Sequence, residues 1–352
     1  MSHFDYLDGY RGFLALIVTC AHTNHYSAKN EIINFFHTIS QSVGVYGFFV
    51  LSSFLLTYRL LNELQVKQND KIRIILKYFV RRFFRVYFIF FLYCTSVKFG
   101  PRVLGGHINY HEYLHYSSWW SLITLNSDGS SHLWTIAPEI KYYFIIPLFC
   151  LVVNLFGRFR IIVVFISFLW VNLDERMNFF NIESGDLDLK KRHVLLTRYA
   201  VFFYGSISAV CLNIIEKSQF LKSKTSQIFL NYASLILAII GFRYKNQNLI
   251  SEFYTCGKIW STMILLMASS DDQSYLKKFF RNSFLINCGK FSFGMYLLHP
   301  IFIQLSQDLF EYEMQIDFTI LVVVQSCLAS ILFYNFVEKK CLKMAIFLNN
   351  KF

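Results

Sequence analysis

Leu7-Asp8-Gly9-Tyr10-Arg11-Gly12-Phe13-Leu14-Ala15-Leu16-Ile17-Val18-Thr19-Cys20-Ala21-His22 is the stretch that decides the fold class. It is a hydrophobic run that carries an arginine and a histidine. At about 100° per residue, eleven steps return to within about 20° of the starting direction. Arg11 and His22 therefore share one helix face, roughly 16 Å apart along the axis. A charged group in a lipid-spanning helix costs about 2.5–3.5 kcal/mol on insertion scales, and it turns toward a protein interior or a watery cavity. Two such groups at two depths predict a polar path into a membrane.

The rest of the chain agrees. Its 352 residues are 55% hydrophobic and only 16% charged, with a mean hydropathy of +0.40. A soluble domain carries about 25% charged residues. The composition excludes a soluble globular enzyme and predicts an all-α, polytopic transmembrane helical bundle. No polar stretch reaches the roughly 50 residues of a separate domain, so residues 1–352 read as a single membrane domain. The N-terminus has no basic region and small-residue cleavage site, so the first span is expected to stay in the protein. The eight cysteines are scattered without a CxxC pair. They read as small core or lipid-facing residues, with no metal site.

Apolar runs of about 17–25 residues predict about ten spans, near residues 8–27, 38–60, 83–99, 132–153, 159–173, 196–215, 228–243, 251–269, 285–308 and 318–338. One set of intervening loops holds about twice the Lys and Arg of the other, including Arg59, Arg81, Arg82, Arg85 and Lys290. The positive-inside rule then puts both termini in the cytoplasm. Arg11 lies near the cytoplasmic end of the first span and His22 nearer the outer side. The net charge of +12 is thus mostly topology and anionic-lipid contact, not a nucleic-acid footprint.

Four further elements carry chemistry. Arg82 and Arg85, with Arg81 beside them, sit at i, i+3 at a membrane boundary. Two guanidiniums there make a phosphate clamp or a positive-inside anchor. Glu139 follows Pro138, a residue expected to kink the helix, and has Tyr142 and Tyr143 at i+3 and i+4. It is either a functional intramembrane acid or half of an ion pair with Arg11 or Lys141. His299 precedes Pro300 at an expected kink and reads as a packing or a catalytic histidine. His25 rivals His22, about 60° round the helix and closer to water. The spacing of His107, His111 and His115 invites a metal reading, but no acidic partners support it.

In order along the chain, these segments resemble the acyltransferase-3 family of integral membrane acyltransferases. Leu7-Asp8-Gly9-Tyr10-Arg11-Gly12 with His22 is similar to the family's opening and its Arg-ten-residues-His motif. Gly44 to Leu55 resembles its second span, and Arg82-Phe-Phe-Arg85 its RxxR element. Leu133 to Glu139 with Tyr143, Ser292 to Pro300, and Phe336 to Lys340 resemble its later segments. Tyr46, Ser53, Ile140, Lys141 and Lys340 depart from the family pattern.

The resemblance implies transfer of an acetyl group from cytoplasmic acetyl-CoA to a hydroxyl of a glycan or lipid-linked oligosaccharide. It implies a multi-pass protein of the bacterial inner membrane, of the type that modifies O-antigen, lipopolysaccharide or exopolysaccharide. In that scheme His22 is a general base, Arg11 orients the donor or offsets charge on the thioester oxygen, and Glu139 holds the imidazole or a sugar hydroxyl. Arg81, Arg82 and Arg85 hold coenzyme A, while Trp134, Tyr143 and His299 contact substrate. No metal is implied. A covalent intermediate on His22, Cys20 or Ser52 stays open, as does the oligomeric state. The competing class is a transporter or flippase of a lipid-linked glycan, which predicts inverted repeats with paired broken helices. A third is a structural subunit.

Overall fold

The computed structural model describes residues 4–23, 40–67, 70–99, 119–126, 131–183, 194–216, 218, 221, 223–244, 249–307 and 315–351. Among them there is no strand. The helices are α1 (Asp5–His22), α2 (Tyr46–Val66), α3 (Lys71–Arg82), α4 (Phe88–Phe99), α5 (Trp119–Ile123), α6 (Ile136–Leu155) and α7 (Arg160–Glu183). They continue as α8 (Val194–Ile215), α9 (Lys224–Arg243), α10 (Leu249–Ser269), α11 (Tyr275–Phe280), α12 (Ser283–Gln307), α13 (Gln315–Phe333) and α14 (Lys339–Lys351). A π-helical turn, Ser40–Val45, leads into α2, and two that join helices, Phe83–Tyr87 and Tyr334–Glu338, connect α3 to α4 and α13 to α14.

Among the described residues, four helical stretches are long and apolar enough to cross a membrane: Val43–Val66, His132–Leu155, Lys224–Arg243 and Phe318–Lys351. α7 and α9 present large apolar side chains outward, among them Phe165, Trp170, Phe229 and Ile236. Such a surface suits lipid. Cys94, Cys150, Cys256, Cys288 and Cys341 are buried.

α1 is the helix that fixes the bundle, and its glycines explain why. A Cβ on Gly9 would overlap the Phe280 carbonyl, one on Gly12 the Leu285 carbonyl, and one on Gly289 the Asp8 carbonyl. These contacts are backbone to backbone, the close approach that small residues permit between helices in a membrane. They lock α1 against α11 and α12. α2 packs on α8, α8 on α10, and α12 on α13.

Two local expectations change. The span expected near residues 159–173 is longer, since α7 continues to Glu183. Its acids find partners on α10: Glu175 pairs with Lys258 at 2.5 Å, and Asp174 accepts from the Tyr254 hydroxyl. Pro138 does not kink a helix. It lies in the first turn of α6, where its missing N–H has no intrahelical partner to lose. Pro300 does lie inside α12, and the helix runs through it.

Candidate active site

α1, α2, the α3–α4 junction, α6, α12 and the α13–α14 junction enclose a cavity of about 330 Å³. Five cations line it, Arg11, Arg59, Arg82, Arg85 and Lys290, with three acids, Asp8, Glu139 and Glu338. Helical spacing aims them. Ser52, Leu55, Leu56 and Arg59 fall on one face of α2, and Lys290, Phe293 and Tyr296 on one face of α12. The two π-helical turns that join helices contribute as well. Arg85 lies within the first and Glu338 closes the second, in keeping with the placement of such turns at functional sites.

The charges are only partly matched. Arg11 bonds to Asp8 at 2.9 Å. Glu139 accepts from the Ser52 hydroxyl at 2.6 Å and the Tyr143 hydroxyl at 2.8 Å, so the ion pair with Arg11 is not formed. Among the described residues, no carboxylate pairs with Arg59, Arg82, Arg85 or Lys290. Arg82 Nε is buried without a hydrogen-bond partner. Glu338 is 6% exposed; Gly294 makes room for it, since a Cβ there would stand 3.1 Å from Oε1. A cavity with surplus cations and an orphaned guanidinium nitrogen suits a polyanion.

The lining also includes Val18, Thr135 and Tyr296 but not His22. Thr135 Oγ1 bonds to the Tyr296 hydroxyl at 2.5 Å, and that hydroxyl donates to the His132 carbonyl. One helical turn past Val18 stands His22, which is exposed. Its Nδ1 lies 2.8 Å from the Val18 carbonyl oxygen. A carbonyl only accepts, so Nδ1 carries a proton; in the neutral ring that leaves the lone pair on Nε2, the tautomer a general base needs. Behind His22 lie two buried imidazoles, His299 with its ring centroid 4.8 Å away, and His132 at 5.3 Å from His299. No group of three His, Cys, Asp or Glu among the described residues is arranged to hold a metal.

The structure thus brings Arg11, Arg82, Arg85, Glu139 and Tyr143 to one cavity, while His22 lies outside its lining, one helical turn along α1 from Val18. Arg81 is elsewhere, held by Glu63 at 3.0 Å. The Trp134 ring packs edge-on to Phe49, and neither it nor His299 lines the cavity. His25, His107, His111 and His115 lie outside the described residues. The sequence reading missed Arg59 and Lys290, which it spent on topology, and it passed over Glu338 and His132. The Ser52-to-Arg59 spacing was the available signal.

The family of the acyltransferase domain matches residues 4–335. The chain belongs to the acyltransferase-3 family. Within that family it is 25% identical over 367 aligned residues to peptidoglycan O-acetyltransferase OatA of Listeria monocytogenes, a match covering 94% of this chain and 54% of the relative. The chain therefore spans about half the length of that curated relative. No solved structure matches.

Proposed function

We propose that this acyltransferase-3 protein moves an acetyl group from cytoplasmic acetyl-CoA to a hydroxyl of a cell-surface glycan. It does so as a bundle of about ten spans in a bacterial inner membrane, with both termini cytoplasmic. The observation that carries this reading is the cation-rich cavity, whose lining on α1 runs from Asp8 to Val18, one helical turn short of His22. Coenzyme A is a polyphosphate on a narrow thioester arm. Its phosphates suit Arg59, Arg82, Arg85 and Lys290, and its arm suits the space past Arg11 toward Thr135 and Tyr296.

His22 Nε2 takes the proton of the acceptor hydroxyl as its oxygen attacks the thioester carbonyl carbon. The C–O bond forms, the C–S bond breaks, and the proton passes to the departing sulfur. Arg11, held by Asp8 roughly 16 Å back along α1 from His22, orients the donor and does not reach the reacting carbonyl. Glu139, fixed by Ser52 and Tyr143, offers its remaining lone pairs to an N–H of the arm or a hydroxyl of the sugar. The acceptor class takes in peptidoglycan, the substrate in the Listeria relative's name, beside O-antigen and exopolysaccharide.

The test supplies labelled acetyl-CoA and envelope glycan to the purified protein and counts alkali-labile label on the glycan. Label supports acyl transfer; its absence with every acceptor favours a flippase. Arg82→Gln is expected to raise KM for acetyl-CoA about tenfold, the loss of one charge-assisted hydrogen bond. It leaves kcat less affected. An unchanged KM places the coenzyme elsewhere.

A further inference from the structure

Glu338 closes the π-helical turn between α13 and α14 and lines the cavity. It is 6% exposed, and its Oε1 is buried with no hydrogen-bond partner among the described residues. A buried acceptor left unpaired forfeits the full solvation of that group. The other polar groups of the lining are engaged. Asp8 holds Arg11, and Glu139 takes the Ser52 and Tyr143 hydroxyls. Ser292 donates to the Gly289 carbonyl, and Thr135 bonds to Tyr296.

The depth of that oxygen follows from the register of α1 and α12. A Cβ on Gly12 would stand 2.6 Å from the Gly289 nitrogen, and the His22 and His299 ring centroids are 4.8 Å apart. The interval is ten residues on each helix. The two helices therefore run parallel, with position 289 level with 12 and 299 level with 22. Gly294 is then level with Ile17. A Cβ on Gly294 would stand 3.1 Å from Glu338 Oε1, which puts the carboxylate at that level. From Arg11 to Ile17 is about 9 Å along the helix axis. Glu338 thus meets the cavity past Arg11, on the His22 side, at the level of Val18 and Tyr296. A carboxylate there repels a phosphate and accepts from an N–H or an O–H.

We propose that Glu338 binds the neutral arm of the acyl donor, its Oε1 accepting a hydrogen bond from an amide N–H or the hydroxyl of the pantetheine chain. This rests on the reading of acetyl-CoA as donor. No bond is made or broken at Glu338; it fixes how far along α1 the thioester is carried. It also sets specificity. The cations suit phosphates that every nucleotide offers, whereas Glu338 reads the arm that the acyl carrier adds. Charge alone predicts the opposite effect, because removing an anion from a cationic cavity strengthens its hold on phosphate.

The experiment compares the purified wild type with Glu338→Met, which has no carbonyl oxygen, and Glu338→Gln, which keeps one. A third variant, Gly294→Ala, keeps the charge and crowds Oε1. Two quantities are read, with acceptor glycan present. One is kcat/KM for acetyl-CoA, from release of the coenzyme thiol. The other is inhibition by the adenosine bisphosphate half of the coenzyme, which has phosphates and no arm. Glu338→Met is expected to lower kcat/KM about tenfold, the worth of one hydrogen bond to a charged group. Inhibition by the bisphosphate stays the same or strengthens. Glu338→Gln, which loses the same charge, recovers most of the kcat/KM, and Gly294→Ala shows a smaller loss with inhibition unchanged. Melting temperature is checked for each; if the Met variant fails to fold, Glu338→Leu replaces it and Gly294→Ala still reports on Oε1. An unchanged kcat/KM or equal losses for Met and Gln overturns the contact. Inhibition weakened as much as turnover also overturns it, by moving Glu338 to the phosphate end. A wild type that releases no thiol from acetyl-CoA overturns the donor reading, and the arm contact with it.

Discussion

Replacing His22 with alanine is expected to slow acyl transfer by about 10²- to 10⁴-fold, the usual worth of a positioned general base. KM for acetyl-CoA should stay within about twofold of wild type, because uniform binding and proton removal are separate contributions. The geometry requires this split. The cations proposed to hold the coenzyme line a cavity whose α1 lining reaches Val18 but not His22, one turn further along the helix. The measurement is a pair of saturation curves, in donor and in acceptor, on protein inserted to equal levels. A His22→Ala enzyme with wild-type kcat removes His22 from the mechanism. One whose KM for acetyl-CoA rises while kcat holds makes His22 a donor contact.

Filling the α1–α12 contact is the second large effect. Gly289→Ala puts a methyl group into the Asp8 carbonyl, which is backbone and has no rotamer to escape through. Overpacking of this kind costs about 1–3 kcal/mol. Gly289→Leu should prevent assembly altogether. The expected result is a lower melting temperature in detergent for alanine, and no monodisperse protein for leucine. Gly289→Ala should also cost activity out of proportion to its stability, because Asp8 is the residue that holds Arg11. A variant with unchanged melting and unchanged rate shows that α1 and α12 do not approach as described.

The first helix was legible because one periodicity governs it: eleven steps at 3.6 residues per turn align Arg11 with His22 wherever the helix packs. Arg82 with Arg85, and Glu139 with Tyr143, were legible for the same local reason. Arg59 and Lys290 were not, since a cation near the end of a span reads first as a topology signal. Their meeting in one cavity is set by how α2 and α12 pack, which no local spacing encodes. His132 and His299 lie far apart along the chain, and nothing in either segment points to the other. The length of α7 was missed because Asp174 and Glu175 look like loop residues until α10 supplies Tyr254 and Lys258.

The make-up of the cavity has a consequence for salt. Five cations against three acids leave its lining net positive, so a polyanion drawn into it associates more slowly and more weakly as ionic strength rises and the lining is screened. A guest held there by apolar contact alone would show no such dependence.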